Sequence, residues 1–146
     1  LGHYVLNHIW KVIAVFALII IALFALLNIM MPRLIERYGA RWGILHGADP
    51  VTAPLGGIIV TLFFLAATPL TNTLTRTQEM EADVFGLNAA RAPDGFARMA
   101  MKLSTYRKIE PSAVEEAVFF THPSGRTRVA TTMRWKAEHL GQPGIE

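Results

Sequence analysis

The sequence predicts an all-α membrane protein, with two transmembrane helices followed by a helical, charged portion. Three observations carry this. Val12 to Met31 contains no charge, and Asn28 is its only strongly polar side chain. About twenty apolar residues suffice to cross a bilayer core. A second uncharged run lies between Asp49 and Arg76. Beyond it the apolar residues recur at helical spacing, and no strand alternation of useful length appears.

The elements follow in order. Residues 1 to 9 read as helical and continuous with the first span, about 12–31, which Trp10 and Lys11 flank on one side and Pro32 and Arg33 on the other. Residues 32 to 54 read as a connecting loop, on the strength of Gly39, Gly43, Gly47 and the Asp49-Pro50 turn. The second span, about 53–71, is interrupted by Pro54, Gly56, Gly57 and Pro69. Such breakers fit a helix packed against protein better than one surrounded by lipid. From about Thr71 a helix carries an acidic cluster and stops near Arg91-Ala92-Pro93. Asp94 is placed to cap a helix from Gly95 to Arg107 with Phe96, Met99 and Leu103 on one stripe. Pro111-Ser112 starts a short helix that ends before His122-Pro123, because a residue preceding proline avoids helical geometry. Ser124 opens a last helix with Val129, Met133 and Leu140 as its inner face.

Composition excludes several classes. Without cysteine there is no disulfide and no thiolate metal site. The ten Lys and Arg after residue 71 are interleaved with Asp and Glu, which gives no reason to expect nucleic acid as a partner. No basic segment precedes the first apolar run and the first residue is Leu1, so the expectation is a piece of a longer protein without a cleaved leader.

The densest chemistry is Thr75-Arg76-Thr77-Gln78-Glu79-Met80-Glu81-Ala82-Asp83-Val84-Phe85-Gly86. On a helix Glu79 and Asp83 share a face and Glu81 points elsewhere. A metal ion with a histidine ligand reconciles the two acids, one carboxylate binding the metal and the other orienting the histidine. Leu1-Gly2-His3 reads like the end of a His-Glu-x-x-His zinc motif. His8, five positions on, diverges from His3 by more than a hundred degrees on a straight helix, which leaves it a supporting or structural place. Each feature has an ordinary alternative when taken alone. His3 can be a hydrogen-bonded structural residue, the acids a solvated face beyond a membrane exit, and His122 a helix-junction residue locked by Pro123.

In combination the motifs resemble the integral-membrane zinc metallopeptidases of the CAAX prenyl protease 1 family and their HtpX relatives. That family has a His-Glu-x-Gly-His helix, a Ser-Arg-x-x-Glu-x-x-Ala-Asp-x-Phe helix and a His-Pro motif with an arginine downstream. Here they read Leu1-Gly2-His3-Tyr4, Thr75 through Phe85, and Thr121-His122-Pro123-Ser124-Gly125-Arg126-Thr127-Arg128, in order, with two spans between the first pair. The resemblance covers the chain from His3 to about Leu140, and the short Trp42-to-Pro50 connection is closer to the prenyl protease branch. Thr75 stands for the usual serine, Gly86 for alanine and Ser124 for a second proline.

The resemblance implies His3 and Glu79 as zinc ligands, and Asp83 holding a histidine ring. It also implies His122 and Arg128 beside the substrate, with His122 a donor to the developing oxyanion. It implies a single domain over 1–146 whose helical catalytic part, about 72–140, returns to the His3 helix, in a multi-pass protein whose catalytic side is cytoplasmic. The partners are a peptide or protein substrate and the bilayer. It also implies that the first zinc histidine and the general-base glutamate precede Leu1, so that 1–146 alone lacks peptidase activity. Two other readings stand beside it. One is a non-enzymatic two-span anchor whose basic helical tail meets anionic lipid or a partner; the other is an HtpX-like quality-control peptidase.

Overall fold

A computed structural model describes residues 1–44, 46–104 and 108–145. Among them it contains six helices and no strand: α1 Gly2–Val5, α2 His8–Trp42, α3 Thr52–Ala90, α4 Pro93–Leu103, α5 Ala113–Phe119 and α6 Gly125–Glu138. The predicted all-α class holds, and α2 and α3 are both long and apolar enough to cross a membrane. The chain divides into two compact units, Lys11–Thr68 and Leu1–Trp10 with Pro69–Glu146.

The Lys11–Thr68 unit holds most of α2 and the first part of α3. The loop predicted over 32–54 is corrected to 43–51. α2 is 35 residues long and continues through Pro32 to Trp42. At 1.5 Å per residue it measures about 52 Å, well over the ~30 Å of a hydrocarbon core. A single proline removes one backbone bond without ending a helix that is supported on both sides. The stop comes at Gly43, where φ is +70°. Ile44 N–H then donates back to Gly39 C=O at 2.9 Å, the closing bond of a glycine C-cap. α3 likewise runs uninterrupted through Pro69. Thr61 and Thr68 return their hydroxyls to the carbonyls of Gly57 and Phe64, both at 2.8 Å, so neither presents an unpaired donor to an apolar medium. The most apolar windows of α2 and α3 are only 11% and 6% buried, which sets them apart from the core helices of a soluble domain.

The second unit carries the charged residues. Helix α1 is not continuous with the first span, contrary to the sequence reading. It ends at Val5, and Asn7 adopts φ +56°, a left-handed conformation that asparagine tolerates better than most residues. α1 packs closely on α3, since a Cβ at Gly2 would lie 3.3 Å from Ala82 Cα and from Phe85 Cδ1.

At the other end of α3, Arg91 turns the chain with φ +51° and Pro93 starts α4. Asp94 does not cap α4, as the sequence suggested; the N-cap is Ala92, without a side-chain bond. Proline is pre-organised for the first helical position, so α4 starts at Pro93 and Asp94 lies within its first turn; its carboxylate accepts from Lys136 Nζ at 2.9 and 3.0 Å. α4 ends at Leu103, and Thr105 to Arg107, predicted to extend it, lie outside the described residues.

α4 packs on α6. The core comprises Leu87, Trp135 and Ile145, with Phe96 against it. Met99 and Leu103 of the predicted stripe are exposed, as are Met133 and Leu140 of the predicted inner face of α6. Thr132 and Trp135 take that face instead. The indole donates from Nε1 to Asn88 Oδ1 at 2.7 Å and stacks on His139 with ring centroids 4.1 Å apart, so its polar edge is satisfied inside the fold.

The short helix α5 starts at Ser112, as predicted, in a capping box with Glu115. Lys108 bonds both Glu115 oxygens and the Ser112 N–H bonds one of them, holding that carboxyl down at about 2. α6 opens at Ser124, also as predicted. Gly125 is required there: a Cβ would come within 2.5 Å of Ser104 Oγ.

Candidate functional site

His3 on α1, Glu79 on α3 and His122 in the α5–α6 loop meet within the second unit. His3 Nε2 lies 3.5 Å from Glu79 Oε1, and His122 Nε2 lies 3.9 Å from Glu79 Oε2. One carboxylate thus faces two imidazole nitrogens, one per oxygen, at separations beyond an ordinary hydrogen bond. The three side chains are about half to a quarter exposed, at 46%, 26% and 45% for His3, Glu79 and His122. All three are open to solvent rather than enclosed in a core.

One sequence expectation changes here. His8 does reach His3: their Nδ1 atoms are 2.8 Å apart, because the break at Asn7 removes the straight helix on which the rings diverge. His8 is buried, and its Nε2 lies 2.9 Å from Glu81 Oε2. Asp83 holds Arg128. Arg128 Nε and Nη2 donate to its two oxygens at 2.7 and 2.8 Å, a forked pair with side chains only 15% and 12% exposed. Arg128 also lies over the Phe96 ring at 5.4 Å.

Sequence reasoning missed the residues that hold the His122 loop. Arg76 Nη1 donates to the C=O of Glu116 at 2.6 Å and of Phe120 at 2.7 Å, and Asn72 Nδ2 donates to Val118 C=O at 2.6 Å. These carbonyls belong to the last turn of α5 and its C-cap, where Glu116 C=O also accepts from Phe120 N–H at 3.3 Å and no further helical turn follows. Arg76 therefore ties the α5 terminus to α3 two residues before His122. On the far side of Pro123, Ser124 N–H donates to Glu116 Oε1 at 3.0 Å, and Ser124 Oγ accepts from Thr127 N–H at 3.2 Å. A second proline at 124 would offer neither the N–H donor nor the hydroxyl acceptor, so the serine suits this chain's own loop. The only sign of the Arg76 role in the sequence is its place one turn before Glu79, on the helix that also carries the acid.

Beside His122 is a cavity of about 170 Å³, bordered by Ser104, Lys108, Phe120, Pro123 and Arg128. Thr121 Oγ1 lies 3.0 Å from His122 Nδ1. When that hydroxyl donates, the imidazole proton resides on Nε2, which faces Glu79.

The described residues are thus all-helical or loop, with two helices of spanning length and the Glu79 carboxylate between the imidazoles of His3 and His122. The sequence pattern of peptidase family M48 matches residues 1–136, and the chain belongs to that family. A curated relative, described as "Uncharacterized metalloprotease YhfN" of Bacillus subtilis (strain 168), is 22% identical over 131 residues, 88% of this chain and 31% of the relative. The chain thus spans about a third of that relative's length. No solved structure matches the chain.

The donors present suit a metal ion in part. Two ligands of one tetrahedral ion, with bonds of about 2.0–2.2 Å, stand about 3.4 Å apart, and His3 Nε2 and Glu79 Oε1 are 3.5 Å apart. No group of three or more His, Cys, Asp or Glu able to hold an ion occurs among the described residues. The pair fits as two members of a ligand set.

Proposed function

We propose that this chain is part of an integral-membrane zinc metalloendopeptidase of the CAAX prenyl protease 1 type, with His3 and Glu79 as two of its zinc ligands. The observation that carries the reading is the 3.5 Å separation of His3 Nε2 and Glu79 Oε1 in a chain of peptidase family M48. The remaining histidine ligand and the general-base glutamate are assigned to residues preceding Leu1. Zinc, when bound, supplies an activated water at neutral pH and polarises the scissile carbonyl.

This chain's residues have distinct tasks in that reaction. Glu79 and the neutral imidazole of His3 hold the ion. His122 donates from Nε2–H to the oxygen on which charge develops, from a loop fixed by Arg76 on one side and Ser124 on the other. The cavity next to His122 takes part of the peptide, and Arg128 on its border is held in place by Asp83. α2 and α3 cross the membrane with the His3, Glu79 and His122 cluster on the cytoplasmic side, which makes the protein multi-pass. The short 43–51 connection supports the prenyl protease branch over HtpX-like quality control, with prenylated proteins as substrates.

The test is peptide cleavage by the purified full-length protein in detergent, using a farnesylated CAAX peptide and its unprenylated counterpart. Cleavage that a zinc chelator abolishes and added zinc restores, with preference for the farnesylated peptide, is expected. Zinc-dependent cleavage without that preference favours the quality-control role. A full-length protein without zinc-dependent cleavage of either peptide favours the two-span anchor.

A further inference from the structure

The cluster contains two groups that the reaction outlined above does not use, the buried His8 and Glu81. They form a chain with His3: Glu81 Oε2 to His8 Nε2 at 2.9 Å, then His8 Nδ1 to His3 Nδ1 at 2.8 Å. The two rings meet edge to face, with centroids 4.9 Å apart and planes at 73°. Both distances are those of real hydrogen bonds, so the protons along the chain are constrained.

A carboxylate only accepts, so His8 carries its proton on Nε2. With His8 neutral, its Nδ1 is then bare and accepts from His3 Nδ1–H. His3 in turn is left with an unprotonated Nε2, the nitrogen that faces Glu79 at 3.5 Å. A metal ligand needs such a lone pair, and a ring nitrogen bearing hydrogen cannot serve.

We propose that His8 and Glu81 are positioning residues that fix His3 in the tautomer with the proton on Nδ1, keeping Nε2 open for the metal. The inference rests on the reading of His3 as a zinc ligand. Three local features make the chain possible. The left-handed Asn7 folds α1 back so that His8 reaches His3. Burial of His8 protects both bonds from competing water. Glu81 lies off the Glu79–Asp83 face of α3, so one helix supplies both a ligand and, through His8, the group that orients the other ligand.

The test uses the full-length protein labelled with ¹⁵N-histidine, stripped of zinc and read by long-range ¹⁵N–¹H correlation, with His3 assigned from a His3→Gln variant. The wild type is expected to show His3 protonated at Nδ1. Glu81→Ala, at a side chain 42% exposed and so mild for folding, should give a mixture of His3 tautomers. It should also weaken zinc binding about 10–100-fold by chelator competition. Glu81→Gln, whose carbonyl still accepts from His8 Nε2–H, should restore the single tautomer and most of the affinity. A wild-type His3 protonated at Nε2 overturns the proposal, as does Glu81→Ala with unchanged tautomer and affinity. Full zinc binding by His3→Gln would instead refute the ligand reading, and the zinc-free spectrum still judges the tautomer chain by itself.

Discussion

Asp83 and Arg128, forty-five residues apart in sequence, form a two-bond ion pair that joins α3 to the first turns of α6. With side chains 12% and 15% exposed, each charge depends on the other for the solvation that water no longer gives. Asp83 lies one helical turn beyond Glu79, and Arg128 borders the cavity at His122.

Removing Arg128 alone leaves a buried, uncompensated carboxylate. Arg128→Ala should therefore lower stability by about 3–5 kcal/mol. The double variant Asp83→Ala/Arg128→Ala should be less destabilised than the sum of the single ones, because it leaves no orphaned charge. Thermal unfolding in detergent checks this, and strict additivity of the single losses would show that the pair does not couple.

Arg76 should resist conservative replacement. Its planar fork reaches the carbonyls of Glu116 and Phe120 together with Thr73 Oγ1. A lysine has a single charged centre and cannot span them. Each charge-assisted bond lost is worth about 1.5–3 kcal/mol, concentrated at the α5 terminus. Arg76→Lys should speed amide hydrogen exchange over 116–122 and leave the α4–α6 core protected. Exchange unchanged over 116–122 would refute the role.

His122 separates a chemical role from a junction role. Its side chain is 45% exposed, so its loss should cost little stability. A donor that acts mainly in the transition state affects turnover more than substrate affinity. In the full-length protein His122→Ala should retain fold and zinc and lose roughly 10²–10³ in kcat, with KM changing much less. Near-normal turnover, or an unfolded protein, would place His122 at the helix junction only.

The two spanning-length helices give a test of topology. A thiol at Arg37→Cys, between the proposed spans, and one at Glu138→Cys, in α6, should be labelled from opposite sides of sealed vesicles by an impermeant reagent. Labelling of both from the same side would contradict the two-span arrangement.

The two uncharged runs, the Ser112 and Ser124 starts and the break before His122-Pro123 were legible in the sequence because each is a local signal. Length and polarity identify a span, and a serine before a helical pattern identifies a cap. Other features depend on partners distant in the chain. Nothing near Asn7 announces a left-handed residue, yet that single φ brings His8 onto His3. Asp94 had the sequence of a cap, but the helix starts one residue earlier at Pro93 and Lys136 took the Asp94 carboxylate. Apolar spacing nominated Met133 and Leu140, whereas the larger Trp135, with Asn88 accepting its N–H, filled the interior. For the same reason the Glu79–Asp83 spacing was readable, but the pairing of Asp83 with Arg128 was not.

The most direct measurement is zinc content of the purified full-length protein and of its Glu79→Ala variant, with helix content followed by circular dichroism. Glu79 is 26% exposed, and its contacts with His3 and His122 are longer than an ordinary hydrogen bond, so the variant should keep its helices. The account predicts zinc bound stoichiometrically to the wild type and lost from Glu79→Ala. A folded Glu79→Ala protein that retains the full zinc content would contradict it.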